Sequence, residues 1–589
     1  MSDRPEKINL SDVHSRQVDT DLLNELRELF VKAEEQKERY DFTWNGKAKA
    51  YFEAAAPTTK ALRAQPEESV DFEKSENLFI TGDNLEALKL LQESYLGKID
   101  MIYIDPPYNT GKDFVYQDNF KKTQKENDVS EGIIDEAGNR LVKNEKSNGR
   151  YHSDWLTMMY PRLKLARNLL SNEGAIFISI DENEYANLKI LMDSIFGENN
   201  FIENIVWNKK SSAKGVPPTN MMAGVHEYIL SFQKTHGYKF IGVERNLEED
   251  GFKNPDNDPR GPWRESNIRS TTISTDKAFT IENPKTGEKY TNTWAFSRDS
   301  LKKMIETKRI IWKKTLPKQK EFMYEMRNEN KAIISNFGLF DAQINTVYLK
   351  KLLGFEKVFS NPKPLQLMKY LISVSLKKES TVLDFFAGSG TTADAVMQLN
   401  AKDGGNRKFI VATLDEETPE NSEARKAGYT TIDQISRERI RRAAEKIGDT
   451  SGFRALKLDS TGLKEDVFKT AGDLDQVDLL EDIDNHSDNR SDYDLLYDVL
   501  VDSALEYNRP ITIDTTNDEQ IIKYDYFGEL SGVVCYFGEN LTDELTRQIA
   551  TLKPLIVVFK ESTFDKSAQK VNVMEQFRII STDTKVKVI

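Results

Sequence analysis

Ile99-Asp100-Met101-Ile102-Tyr103-Ile104-Asp105-Pro106-Pro107-Tyr108 reads as a buried strand cut off by two prolines. A short, nearly continuous apolar run suits a strand covered on both faces, as in a parallel sheet. Proline has no amide proton to give to a ladder, so Pro106 and Pro107 turn the chain out at the carboxyl end of the strand. In open α/β sheets that edge is where ligands bind. The same rhythm continues on either side. Residues 77–80 read as a strand, 84–91 as a helix, 155–170 as a helix and 175–180 as a strand. The expected fold is α/β, with a parallel sheet sandwiched between helices.

Between residues 241 and 355 the rhythm is lost, and Gly, Pro, Asn, Asp and Thr surround Trp263, Trp294 and Trp312. It returns at Ser380-Thr381-Val382-Leu383-Asp384-Phe385-Phe386 and runs to about residue 447. The segments expected are therefore 1–75, 76–240, an irregular insertion at 241–355, 356–450 and 451–589. The first contains an amphipathic helix at 20–39. The last opens with an acidic linker at about 472–494 and then forms an α/β unit with strands at 532–537 and 555–559. No internal repeat is present.

The chemistry at Asp105-Pro106-Pro107-Tyr108 suits an exocyclic aromatic amine. The lone pair of such an amine is delocalised into its ring. Hydrogen bonds to a carboxylate and a backbone carbonyl draw the nitrogen toward tetrahedral geometry and stabilise the positive charge that grows as it attacks. Asp105 and the Pro106 carbonyl are the acceptors, Pro106 and Pro107 hold them rigid, and Tyr108 offers a face for stacking an extruded base. The plainer alternative is a strand ending in an incidental loop.

A second motif, Asp384-Phe385-Phe386-Ala387-Gly388-Ser389-Gly390-Thr391-Thr392-Ala393, lies between a strand and a helix. Its glycines allow close approach of a ligand to the backbone, and the helix N-terminus attracts negative charge. Asp415 and Glu416 follow the next strand, 408–414, where an acid reaches ribose hydroxyls. Gly388, Gly390 and Ala393 also fit a dinucleotide fingerprint, and a tight strand–helix turn would look the same. Together the two motifs say more than either alone. About 280 residues separate them, and the irregular insertion accounts for the gap.

The net charge of −14 is unevenly spread: residues 201–360 carry about +8 and 451–589 about −12. A nucleic-acid-binding middle is compatible with that asymmetry. The single cysteine, Cys535, sits in an apolar strand and excludes a disulfide framework or thiolate cluster. The five histidines show no metal-ligand spacing, so no metal is expected. No apolar run approaches membrane length and no secretory pattern opens the chain, so the expected location is the cytoplasm. The absence of a P-loop string argues against ATP hydrolysis by this chain.

Asp-Pro-Pro-Tyr followed later by Phe-Ala-Gly-Ser-Gly resembles the amino-methyltransferases of DNA, in the motif order of their beta group. Gly82-Asp83-Asn84-Leu85-Glu86-Ala87-Leu88, the extension of the proline motif through Asn109-Thr110-Gly111, His226-Glu227-Tyr228-Ile229-Leu230, Asn361-Pro362-Lys363-Pro364 and the ending Thr-Lys-Val-Lys-Val-Ile narrow the match. They resemble the modification (Mod) subunit of type III restriction–modification systems over residues 40–589. The resemblance implies a Rossmann-like class I methyltransferase sheet with permuted motif order, an inserted DNA-recognition domain and a C-terminal α/β domain. It implies adenine-N6 methylation of duplex DNA by base flipping, with Asp105, Pro106, Pro107 and Tyr108 forming the target site. S-adenosyl-L-methionine would lie against Asp384, Phe386, Gly388 and Gly390, with Lys363 and Pro364 close by. Asp83 would reach the cofactor's adenine, and Asp415 or Glu416 its ribose. A homodimer and a separate ATP-dependent restriction (Res) subunit are also implied.

Within the insertion, Lys302, Lys303, Lys308, Arg309, Lys313 and Lys314 are candidates for phosphate contacts, and Trp263, Arg264 and Arg269 for reading or wedging bases. A solvated basic face is the competing interpretation. Three other functions fit less well: N4-cytosine or RNA methylation, a catalytically silent DNA-recognition subunit, and a nicotinamide dehydrogenase. Asp at position 105, the intact glycine turn and the Pro-Pro motif respectively weigh against them.

Overall fold

Ten strands form one sheet. They are β1 (Lys60–Ala64), β2 (Leu78–Thr81), β3 (Ile99–Ile104), β4 (Leu170–Ile180), β5 (Phe201–Asn208), β6 (His226–Gln233), β7 (Asn336–Leu339), β8 (Thr381–Asp384), β9 (Lys408–Thr413) and β10 (Arg454–Ser460). Their spatial order is β1-β10-β2-β9-β8-β3-β4-β6-β5-β7. This computed structural model describes residues 42–111, 114–116, 141–143, 149–212, 221–245, 250–272, 278–326, 330–356, 358–460, 490–516, 518–564 and 567–589. The helix expected at 20–39 and the acidic linker up to residue 489 lie outside them.

From β10 through β4 neighbouring strands are parallel, and β6 runs antiparallel to both β4 and β5. The run β2-β9-β8-β3-β4-β6-β5, with its one reversed strand, is a Rossmann-like sheet. Helices α1 (Asn84–Tyr95), α2 (Tyr151–Leu169), α3 (Tyr185–Phe196), α4 (Ala342–Leu353), α5 (Leu365–Ser375), α6 (Thr391–Asp403) and α7 (Ile432–Ile447) accompany it. Leu78, Ile80, Ile102, Ile104, Ile176, Ile178, Leu383 and Ile410 pack into one core with α1, α2 and α3. Burial on both faces explains why these strands are continuously apolar.

The chain order is permuted: β8 and β9 come late in the sequence yet sit at the centre, beside β3. The connection from β8 leads through α6 to β9 on one side, and that from β3 through α2 to β4 on the other. Departures in opposite directions open a crevice at the carboxyl ends of β8 and β3.

The ends of the chain also join the sheet. β1, from the segment expected to be helical, pairs with β10, from the segment expected to begin the C-terminal unit. Phe240–Ile334 forms a separate compact unit, so the insertion closes before residue 355. β7 pairs with the edge strand β5, and this draws residues 336 onward back to the large sheet. The smaller unit has a three-stranded sheet (Trp263–Asn267, Lys318–Phe322, Ile310–Ile311), a hairpin (Phe279–Glu282, Lys289–Asn292) and a core of Ile268, Tyr290, Trp294, Leu301 and Met304. Residues 511–588 contribute a five-stranded mixed sheet in which Cys535 is fully buried. Among the described residues no helix is long and apolar enough to cross a membrane.

Candidate active site

β8 ends at Asp384, whose carboxylate accepts from the Phe386 amide at 3.0 Å and the Thr392 hydroxyl at 2.5 Å. These bonds fasten both ends of the glycine turn to the strand. Asp384 is 2% exposed, and burial pushes its carboxyl up to about 7 despite both donors. Gly388 and Gly390 adopt left-handed conformations with φ of 50° and 73°. A Cβ on Gly388 would meet the Phe359 ring at 3.3 Å, and one on Gly390 the Ser436 carbonyl at 3.3 Å. A side chain at either position would be strained at that φ and would press on the residues packed against the turn.

The turn is supported from α7. Fully buried Arg439 donates to Ser389 Oγ at 3.0 Å and Thr391 Oγ1 at 2.7 Å, and pairs with buried Asp394 at 3.0 Å. The Ser436 hydroxyl donates to the Gly388 carbonyl. From the other side Asn84 Nδ2 donates to the Phe385 carbonyl at 2.8 Å, and Arg162 holds Asn84 Oδ1 at 2.6 Å.

Asp83 caps α1, accepting from the amides of Leu85 and Glu86 at 2.8 and 3.2 Å, and pairs with Arg162 at 3.3 Å. Asp415 pairs with Lys457 of β10 at 3.1 Å and lines a polar cavity of about 220 Å³ with Thr81, Asp433 and Arg437. Glu416 is half-buried, and burial raises its pKa. Among the described residues its carboxylate has no hydrogen bond or ion pair.

Where β3 ends, the proline loop is clamped from α2. Trp155 Nε1 donates to the Pro107 carbonyl at 2.7 Å, and the Tyr151 hydroxyl donates to that of Asn109. Asn109, left-handed at φ 57°, reaches fully buried Glu184 at 2.5 Å, and His152 meets the same carboxylate at 2.6 Å. The carbonyls of residues 107 and 109 are thus occupied. That of Pro106 accepts no hydrogen bond from any described residue.

Lys363 ties the proline loop to Glu227 of β6. Its Nζ lies 3.2 Å from Asp105 Oδ1, 2.9 Å from Glu227 Oε2 and 4.6 Å from the centre of the Tyr108 ring, and it donates to the Tyr108 hydroxyl. Tyr108 in turn donates to Glu227 Oε2 at 3.2 Å, and Lys209 pairs with Glu227 Oε1 at 3.1 Å. Burial raises the Asp105 pKa, with Lys363 opposing and Glu227 adding to the rise. Burial disfavours the Lys363 ammonium, but Asp105 and Glu227 outweigh it and hold its pKa above the ordinary value. At Glu227 burial is outweighed by Lys363 and Lys209, and its pKa is lowered.

A family model described as "DNA methylase" matches residues 99–439, more than half of the chain. The chain is 40% identical to the StyLTI Mod subunit of Salmonella typhimurium across 63% of its own length and 58% of that protein's. It is 34% identical to the EcoPI Mod subunit of Escherichia phage P1 across 72% of both chains. The chain belongs to the DNA methylases, among the type III Mod subunits. The solved M1.HpyAVI–SAM complex aligns with 62% of this methylase and 98% of its own chain at 16% identity, with a TM-score of 0.25.

In this methylase the proline loop and the glycine turn follow the adjacent strands β3 and β8, and Lys363 meets the proline loop at Asp105 and Tyr108. Sequence reasoning missed Glu227, Lys209, Trp155, Glu184 and Arg439. The string His226-Glu227-Tyr228 carries a signal only through the family resemblance. Among the described residues no group of His, Cys, Asp and Glu could hold a metal.

The basic candidates of the smaller unit divide in two. Arg264 pairs with Glu321 at 2.7 Å, Arg309 with Glu325 at 2.5 Å and Lys313 with Glu265 at 2.6 Å, while Trp263 Nε1 donates to Asp256 at 2.8 Å. Arg269, Lys302, Lys303, Lys308 and Lys314 are exposed and form no side-chain ion pair among the described residues.

Proposed function

We propose that the chain transfers a methyl group from S-adenosyl-L-methionine to N6 of an extruded adenine in duplex DNA, as the modification component of a type III restriction–modification system. The observation carrying this reading is the adjacency of β8 and β3, which turns the glycine cradle and the proline-fixed carboxylate toward one crevice. The residues present fit the cofactor. Two left-handed glycines hold the turn after β8 in a conformation that L side chains rarely adopt, and Glu416 is an acid without a partner among the described residues.

S-adenosyl-L-methionine, when bound, supplies an electrophilic sulfonium methyl. Phe386, Gly388 and Gly390 line its methionine end, with Asp384 fixing the turn and Lys363 and Pro364 alongside. Glu416 takes the ribose, since Asp415 is engaged by Lys457. Asp83 acts at the adenine end while capping α1. Asp105 and the open Pro106 carbonyl accept the two amine protons of the target base. They pull its nitrogen out of conjugation and stabilise the charge it acquires. Clamping by Trp155 keeps both acceptors in place before the base arrives, so little reorganisation is needed. Tyr108 stacks on the base. Arg269, Lys302, Lys303, Lys308 and Lys314 contact phosphates. A homodimer, a Res-type partner and a cytoplasmic location complete the reading.

Purified protein incubated with labelled S-adenosylmethionine is expected to label adenine in duplex DNA. Asp105→Ala is expected to abolish transfer while leaving cofactor affinity within about threefold, because Asp105 lies on the base side of the crevice. Transfer by that variant at the wild-type rate would sink the assignment, and label on cytosine would move the reading to N4.

A further inference from the structure

Lys363 stands where the target base has to go. Its ammonium is 3.2 Å from Asp105, the acceptor for the amine, and 4.6 Å from the centre of the Tyr108 ring, the stacking face. Both of these interactions must be given up when adenine enters. The third, to Glu227 Oε2 at 2.9 Å, need not be. We propose that Glu227 is a positioning residue for methyl transfer, the acid onto which Lys363 withdraws when the target amine takes Asp105 and the base takes the face of Tyr108. This rests on the reading of Asp105 as the amine's acceptor.

Glu227 is built for that task. It lies on β6, the reversed strand, in register with Trp207 of β5, so its backbone is fixed within the sheet. Lys209 occupies Oε1 and leaves Oε2 for Lys363 and Tyr108. The Glu227 side chain is mostly sheltered from water at 12% exposure, so the interaction is weakly screened. The cluster of Asp105, Glu227, Lys363 and Lys209 is neutral as it stands. Without the Glu227 charge, Lys363 would have Asp105 as its remaining carboxylate, and a net positive cluster would face an amine acquiring positive charge.

The charged and titratable groups facing Glu227 are Lys209 from just beyond β5, Lys363 from the segment before α5, Tyr103 from β3, Asp105 and Tyr108 from the loop after β3, and Asp181 from just beyond β4. Glu227 raises the proton affinity of Asp105. Removing its charge lowers that affinity, and removing Lys209, which compensates Glu227, raises it.

The test is the pH profile of kcat/KM for DNA in wild type, Glu227→Gln, Glu227→Asp and Lys209→Met, with cofactor affinity measured by calorimetry. Glu227→Gln is expected to lower kcat about tenfold or more, with cofactor Kd within about threefold and the acid limb moved to lower pH. Lys209→Met is expected to move that limb to higher pH, and Glu227→Asp to keep it near wild type. Opposite movements are what a merely structural role would not give. Should Glu227→Gln fail to fold, Lys209→Met carries the test, since that side chain is 29% exposed. Limbs that stay put or move together, or an unchanged kcat in Glu227→Gln, overturn the inference. Failure of the wild-type enzyme to methylate duplex DNA overturns the methyl-transfer reading and this inference with it. Normal wild-type turnover with unmoved limbs overturns this inference alone.

Discussion

Replacing Asp384 by Asn probes a strongly displaced carboxyl at the end of β8. In the folded protein burial pushes Asp384 up to about 7 from an ordinary value of 3.8. Below the lower value both folded and unfolded chains hold the proton, and the group is neutral in its effect. Between the two values the unfolded chain ionises first, so stability falls as pH rises, and above about 7 the cost is complete. At ~1.4 kcal/mol per pH unit the ceiling on that cost is about 4 kcal/mol. Asn keeps an oxygen to accept from the Phe386 amide and can donate to the Thr392 hydroxyl oxygen, so the turn retains its fastening. Asp384→Asn is therefore expected to stabilise the large unit at pH 8 by up to a few kcal/mol, with the advantage shrinking steadily toward pH 4. Urea unfolding of the cofactor-free protein followed across that range reads the effect directly. An advantage independent of pH, or a variant less stable than wild type at pH 8, would refute the reasoning.

Gly390→Ala forces a left-handed alanine, at a cost of ~1–2 kcal/mol, and sets its Cβ 3.3 Å from the Ser436 carbonyl. Cofactor Kd by calorimetry is expected to rise roughly tenfold as the turn shifts. Changing Lys302, Lys303, Lys308 and Lys314 together to Ala is expected to flatten the slope of log Kobs against log salt for DNA binding by about 3–4, at ~0.9 for each phosphate no longer neutralised. A slope unchanged in fluorescence anisotropy would remove these lysines from the interface.

The glycine turn and proline loop were legible because each is specified locally, by backbone freedom at Gly388 and Gly390 and by the ladder-breaking Pro106 and Pro107. Residues whose meaning is set by distant partners were not. Glu227 sits at the start of a strand, where any solvated acid would look the same, and its partners appear only when the reversal of β6 brings it to Lys363 and Tyr108. Arg439 lies in Ser-Arg-Glu-Arg-Ile-Arg-Arg, which looks like a charged helix face, yet it is fully buried beneath the glycine turn. The basic run shows the same limit most sharply. Antiparallel pairing of Trp263–Asn267 with Lys318–Phe322 sets Arg264 opposite Glu321 and brings Lys318 to Glu265, while Lys320 turns to Asp256 and Asp258, so charges that are far apart in sequence cancel. A count of lysines and arginines therefore overstates the positive charge left unpaired. Among the described residues, the candidate cations that remain unpaired are Lys302 and Lys303 on the helix Arg298–Glu306, Lys308 and Lys314 in the turns, and Arg269, which bridges to Trp294. In this unit the register of the sheet, more than the density of basic residues, decides which charges are left unpaired among the described residues.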